Sequence, residues 1–213
     1  QGIGRRLWQH ALKTLSSVQC IGLEAAVQMV GFYERAGFQK DCITTRRQML
    51  FRSEASLDAS PSQRSDVAVV PLHEVSLEAI QRYDERHEIS PRPHFLELWL
   101  RHRAGDVFAA RDAEGECHGY VRIRPCLLPI GEGWRVGPWL AEDPGMASLL
   151  LNNALDHHNG VVLIDTPGHN PSAKTILSAR GFKPMTSTVR MYKGVIPRGH
   201  DRNVYGLACL ELG

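Results

Sequence analysis

Gly31-Phe32-Tyr33-Glu34-Arg35-Ala36-Gly37-Phe38 decides the reading of this chain, because part of it returns near the carboxy terminus. Ala36-Gly37-Phe38 aligns with Arg180-Gly181-Phe182, and in the same register Ile43 falls on Ser187 and Thr44-x-Arg46 on Thr188-x-Arg190. Both segments end in residues of strand-like composition. One supersecondary unit is therefore used twice: a strand, a helix that ends at a glycine, and another strand. Gly37 and Gly181 are each placed to take the left-handed conformation after the last helical turn, with Phe38 and Phe182 covering it.

The element pattern extends on both sides of the repeats. Ile3, Leu7, Ala11 and Leu15 recur at helical spacing behind Gly2 and Gly4. A short strand near residues 18–23, a helix over 28–36 and a strand around 43–51 follow. Residues 52–66 are polar and serine-rich and read as a linker. The pattern then restarts with a strand at 67–70, helices over 75–87 and 94–101, and a hairpin of strands at 107–110 and 119–123. A strand at 133–140, a helix over 146–157, a strand at 161–165, a helix over 172–180 and two closing strands complete it.

These motifs carry a family resemblance. Phe32-Tyr33-Glu34-Arg35-Ala36-Gly37-Phe38 resembles the helix near the end of the fold of the GNAT N-acyltransferases. Gln1-Gly2-Ile3-Gly4-Arg5-Arg6-Leu7 resembles the second half of that family's pyrophosphate-binding motif, Gln/Arg-x-x-Gly-x-Gly/Ala, whose first residue would precede Gln1. The stretch from Val67 to Gly213 is similar to the carboxy-terminal domain of tandem GNAT proteins. The resemblance implies an α/β (α+β) fold, a mixed central sheet flanked by helices, in one partial and one complete copy. The expected division is 1–51 for the last third of a first GNAT domain, 52–66 for the linker and 67–213 for a second, degenerate domain. Because the chain lacks an initial methionine and begins inside a motif, it is expected to be a fragment.

Acyl transfer from a coenzyme A thioester needs a cradle for the pyrophosphate, donors for the oxyanion and proton handling for the amine and the thiolate. Gly2 and Gly4 let backbone N–H groups approach a phosphate at a helix start, where the dipole is positive, and Arg5 and Arg6 add charge. Gln1, Gly2, Ile3, Gly4, Arg5 and Arg6 are thus the expected acetyl-CoA-binding residues. Tyr33 stands where many GNAT enzymes keep a tyrosine that protonates the departing thiolate, a role that suits a phenol of pKa ~10. The plainer reading is a tyrosine packed on an amphipathic helix. The second copy departs at both places: Tyr33 maps to Leu177, and the phosphate loop maps to Ala141-Glu142-Asp143-Pro144-Gly145, with two carboxylates and a proline. Asp143 there reads as a helix cap.

The resemblance implies transfer of an acetyl or other acyl group from acyl-CoA to an amine on a small molecule or a protein. The general base would lie before Gln1. Asp84, Glu85, His87, Trp99, Arg122, Arg124, Asp165 and His169 are polar or aromatic residues that could face a cleft, but each reads first as a surface or capping residue. The rival reading is a non-catalytic binding or dimerisation module, inactive as this chain; a homodimer is counted among the expected partners alongside acyl-CoA and the acceptor.

Composition excludes other classes. The 213 residues are 43% hydrophobic with a net charge of +2, which suits packed cores and offers no basic track for nucleic acid. Apolar stretches fall short of the ~20 residues that cross a bilayer, so a soluble, cytoplasmic protein is expected. Cys20, Cys42, Cys117, Cys126 and Cys209 are odd in number and widely spaced, the pattern of reduced structural thiols rather than of a disulfide framework or a zinc motif. No metal site is expected.

Overall fold

In the computed structural model, residues 2–52, 66–129, 131–196 and 202–210 are described. Gln1 and all but the ends of the expected linker lie outside them. The elements are α1 (Ile3–Thr14), β1 (Cys20–Ala26), α2 (Val30–Arg35), β2 (Gln39–Phe51), β3 (Ala68–Pro71), α3 (Leu77–His87), α4 (Pro93–Leu100), β4 (Asp106–Arg111), β5 (Cys117–Leu128), β6 (Gly131–Ala141), α5 (Pro144–Leu155), β7 (Gly160–Thr166), α6 (Pro171–Ala179), β8 (Lys183–Gly194) and β9 (Val204–Gly206).

Both repeats end as their sequences require. Gly37 has φ 88° and Gly181 φ 84°. The Phe38 N–H reaches back to the Tyr33 carbonyl at 3.0 Å and the Phe182 N–H to that of Leu177 at 2.9 Å, while Gly37 and Gly181 bond one residue further in. This is a Schellman closure in both copies, with Phe38 and Phe182 buried over it.

Among the described residues the nine strands form one sheet, in the order β1-β8-β2-β7-β6-β5-β4-β3, with β9 added on β6. The two repeats exchange their closing strands. β8 of the second repeat runs antiparallel between β1 and β2 of the first, and β2 in turn runs antiparallel beside β7 of the second. The aligned Thr44 and Thr188 face each other across β2 and β8, and both hydroxyls donate to the Glu24 carboxylate, at 2.8 and 2.6 Å. The aligned arginines cross over: Arg46 of the first repeat pairs with Asp165 on β7, and Arg190 of the second with Glu24 on β1. Each acid is almost fully buried and each guanidinium largely so. Such pairs fix register and partner more than they add net stability.

Three cores follow from the alternation of side chains across this sheet. α5 and α6 cover one face of β4 to β7 around Trp139, Leu150, Leu151, Ile164 and Leu177. α3 and α4 cover the other face around Ile80, Tyr83, Leu96 and Tyr120. A smaller core beneath α1 and α2 joins Ala25, Val30, Phe38 and Met191, with Trp8 and Tyr33 packed on it.

β6 and β7 run parallel only from Trp134 to Val136 against Val162 to Ile164. Beyond that the two strands separate, and β9 fills the divergence. It pairs with β6 at Trp139 and Leu140, the Leu207 N–H donates to the Asp165 carbonyl of β7 at 2.9 Å, and the Asn170 side chain holds the Arg202 and Val204 carbonyls.

Candidate functional site

The start of α1 is open. Gly2 takes φ 89° ahead of the helix, no side chain caps it, and its first turn carries no acid. A Cβ at Gly2 or Gly4 would meet no atom within 4 Å. The first N–H groups of a helix have no partner inside it, so Ile3, Gly4 and their neighbours present donors to an anion with two arginines beside them. Gln1, expected in the same motif, lies outside the described residues. The α1 helix buries none of its residues fully, and Ile3 and Leu7 are exposed.

Tyr33 lies on the same side of β1 as α1. Its ring meets Trp8 edge-on at 5.6 Å, Phe32 at 5.3 Å and Phe38 at 6.0 Å. It stands in the smaller core with Ile21 and Leu23 of β1. β1 has β8 on one side and forms an edge of the sheet among the described residues.

The second copy is built differently at each corresponding point. Asp143 caps α5, its carboxylate accepting from the Met146 N–H at 2.8 Å, and Pro144 occupies the first turn. Glu142 beside it accepts from His118 at 2.8 Å. Leu177, in the place of Tyr33, is fully buried. The divergence between β6 and β7 holds β9. Replacing Asp143 by alanine is expected to cost about 1 kcal/mol, read as a shift in the urea midpoint, with no change in acyl-CoA affinity.

The other polar candidates resolve into separate groups. Asp84, expected at a surface or cap, is fully buried instead: its carboxylate accepts from Arg92 at 2.8 Å and from the Tyr120 hydroxyl, and Arg92 also bonds Glu88 at 2.7 Å. Burial, followed by the nearby Asp84 charge, holds the Tyr120 hydroxyl well above its usual range, so it serves as a neutral donor. Glu85 is exposed. Arg122 and Arg124 both stack on Trp99, at 5.0 and 4.9 Å. Burial, then the neighbouring Arg124, lowers the Arg122 guanidinium to about 10, still charged at neutral pH.

His87 and His169 line a cavity of about 650 Å³ together with Cys20, Cys42, Arg190 and Tyr192. It lies on the opposite face of β1 from Tyr33: Gly22 faces the cavity, whereas Ile21 and Leu23 pack beside the tyrosine. Spacing in the sequence gives no sign of this cavity, because the strand exchange that brings Thr44, Arg190 and His169 around it has no local signature.

A family model for an acetyltransferase (GNAT) domain matches residues 80–206. The chain belongs to the GNAT acetyltransferase family. A relative, the holothin acyltransferase of Pseudoalteromonas sp. (strain SANK 73390), is 25% identical over 215 residues, which cover 100% of this chain and 68% of that protein. The crystal structure of a putative acetyltransferase from Pyrococcus horikoshii matches with a TM-score of 0.75 at 21% identity, over 100% of this chain and 67% of its own. A tandem GNAT protein from the clavulanic acid biosynthesis pathway matches at 0.58 and 16% identity, over 93% and 72%. The GNAT chain thus spans about two thirds of the length of these proteins, and its mixed sheet flanked by helices is the fold it shares with the two solved structures. No helix among its described residues is long and apolar enough to cross a membrane.

Proposed function

We propose that this GNAT chain transfers an acyl group from acyl-CoA to an amine, and that the first repeat binds the donor. The contrast between the two helix starts carries the reading. The α1 start has free space around two glycines, no acid and two arginines; the α5 start has a capping carboxylate, a proline and a second acid beside it, and its strand divergence is filled by β9. A diphosphate gains from the first arrangement and is repelled by the second.

Gly2, Ile3, Gly4, Arg5 and Arg6, with Gln1 ahead of them, hold the pyrophosphate in this reading. The thioester supplies an activated carbonyl, and Tyr33 delivers a proton to the sulfur as the amine displaces it. The second repeat, 67–213 in the expected division, supports the first by lending it β8. The relative from Pseudoalteromonas is named for acylating holothin; an amine acceptor on a small molecule is the corresponding expectation here.

Calorimetric titration with acetyl-CoA tests the reading. Micromolar binding is expected, and changing both Gly2→Asp and Gly4→Asp should weaken it more than about 100-fold, since two carboxylates would oppose the diphosphate at close range. Binding that survives both substitutions would move the donor site to the second repeat, and absence of binding by the unaltered protein would favour the non-catalytic module.

A further inference from the structure

Asp41, Cys42 and His169 bring a carboxylate oxygen, a thiol sulfur and an imidazole nitrogen within 4.8 Å of one another. We propose that these three side chains form a site for a divalent metal ion of the zinc class, opening on the cavity. The inference stands independently of the acyltransferase reading, because the cluster lies across the sheet from Tyr33.

The first argument is the local backbone. Successive residues of a regular strand point to opposite faces, which would separate Asp41 from Cys42. The β2–β8 ladder slips between Lys40 and Ile43, so that Lys40 faces Met191 while Ile43 already faces Val189. Two residues of β2 therefore stand opposite one of β8, and this bulge turns both donors toward His169. Bulges that re-aim a side chain are characteristic of functional positions.

The second argument is how His169 is held. It comes from the connection between β7 and α6, 128 positions from Asp41, and its Nε2 lies 3.0 Å from Asp41 Oδ2. Gly168 is pressed against β2: a Cβ there would meet the Ile43 carbonyl at 2.7 Å and Cys42 Cβ at 3.5 Å. The histidine is thereby fixed beside the bulge by backbone packing.

The third argument is donor chemistry. One thiolate, one imidazole and one carboxylate suit zinc, whose bonds of about 2.0–2.3 Å place tetrahedral ligands roughly 3.3–3.8 Å apart. The 4.8 Å limit requires only small rotamer adjustments to reach that. On binding, the cation takes the Cys42 sulfur as thiolate, whose proton is released to solvent, and the Nε2 lone pair of a neutral His169 whose ring proton sits on Nδ1, with the Asp41 carboxylate turning from Nε2 to the cation. Three protein ligands leave a fourth position toward the cavity for water or a ligand atom.

The protein, stripped with a chelator, should be titrated with Co²⁺ as the probe and then with Zn²⁺. One Co²⁺ per chain is expected, with a thiolate-to-metal band in the near ultraviolet that Zn²⁺ displaces, and Zn²⁺ should raise the melting temperature. Cys42→Ser should abolish the band and His169→Asn should weaken Co²⁺ binding more than about 100-fold, beyond the range for outer-shell partners. Cys20→Ser, which also alters a cavity-lining thiol, should change neither. A band that persists in Cys42→Ser, or failure of the folded unaltered protein to retain Co²⁺ at micromolar free metal, would overturn the site; should Cys42→Ser not fold, His169→Asn decides alone.

Discussion

Arg92→Ala is expected to destabilise the folded protein by about 3–5 kcal/mol at neutral pH, the cost of stranding buried charge by removing its partner. Arg92 bonds both Asp84 and Glu88, whose side chains are 1% and 12% exposed, while its own is 15% exposed. With alanine there, Asp84 keeps only the Tyr120 hydroxyl as a side-chain donor among the described residues, and Glu88 loses a counter-ion in a desolvated site. Burial already raises the Glu88 carboxyl, with Arg92 opposing that shift; deleting Arg92 raises it further. A group whose folded pKa lies above its unfolded value stabilises below the unfolded pKa and loses that contribution as pH rises through the folded one. The deficit of Arg92→Ala should therefore be largest near pH 7 and shrink toward pH 5, measured by urea unfolding at both. Arg92→Lys keeps the charge without the fork and should fall between. A deficit below about 1 kcal/mol at pH 7 would mean that water reaches the cluster and screens it.

Asp84 also shows where the sequence stops being informative. Asp143 announces itself as a helix cap through the proline that follows it directly, and Gly37 and Gly181 through the phenylalanines after them. Each of these signals is local, and each is found in the structure. Asp84 is held by Tyr120, 36 positions away, on a strand whose sequence says only that it alternates. A buried carboxylate and a solvated one look alike on a helix until its partners are known.

The strand exchange was hidden for a related reason. β2 and β8 carry the same Thr-x-Arg pattern, so either could lie beside β1, and period-two alternation fixes which face is buried without naming the neighbour. The closing strands of the two repeats are shared: Arg46 and Arg190 each cross to an acid of the other repeat. β9 was equally illegible. Its three residues are too few for periodicity, and what sets them in the divergence is the long-range pairing with Trp139 and Leu140. The bulge at Asp41 and Cys42 breaks alternation itself, which is why a reading built on spacing does not bring these two side chains together with His169.

The same comparison between copies isolates what Tyr33 is for. In a Schellman closure the residue three positions before the cap packs on the apolar residue that follows the glycine, and Tyr33 does so against Phe38 while Leu177 takes that position before Phe182. Leucine meets the structural requirement in one copy, so the ring of Tyr33 is explained by packing and its hydroxyl is not. Tyr33→Phe keeps the ring, its edge-on contact with Trp8 and the helix closure, and its stability should stay within about 0.5 kcal/mol of the unaltered protein, as for changes that leave packing intact. If the hydroxyl protonates the leaving thiolate, the same change should lower kcat by about 10²–10⁴-fold with little effect on acetyl-CoA affinity. The loss should be smaller for donors whose thiolate is a better leaving group, because less depends on the proton. Steady-state rates with acetyl-CoA and with a more acidic thioester, alongside calorimetric affinity, separate the outcomes: an unchanged kcat would return Tyr33 to a packing role equivalent to that of Leu177, and a parallel loss of affinity would place the hydroxyl in binding rather than in proton transfer.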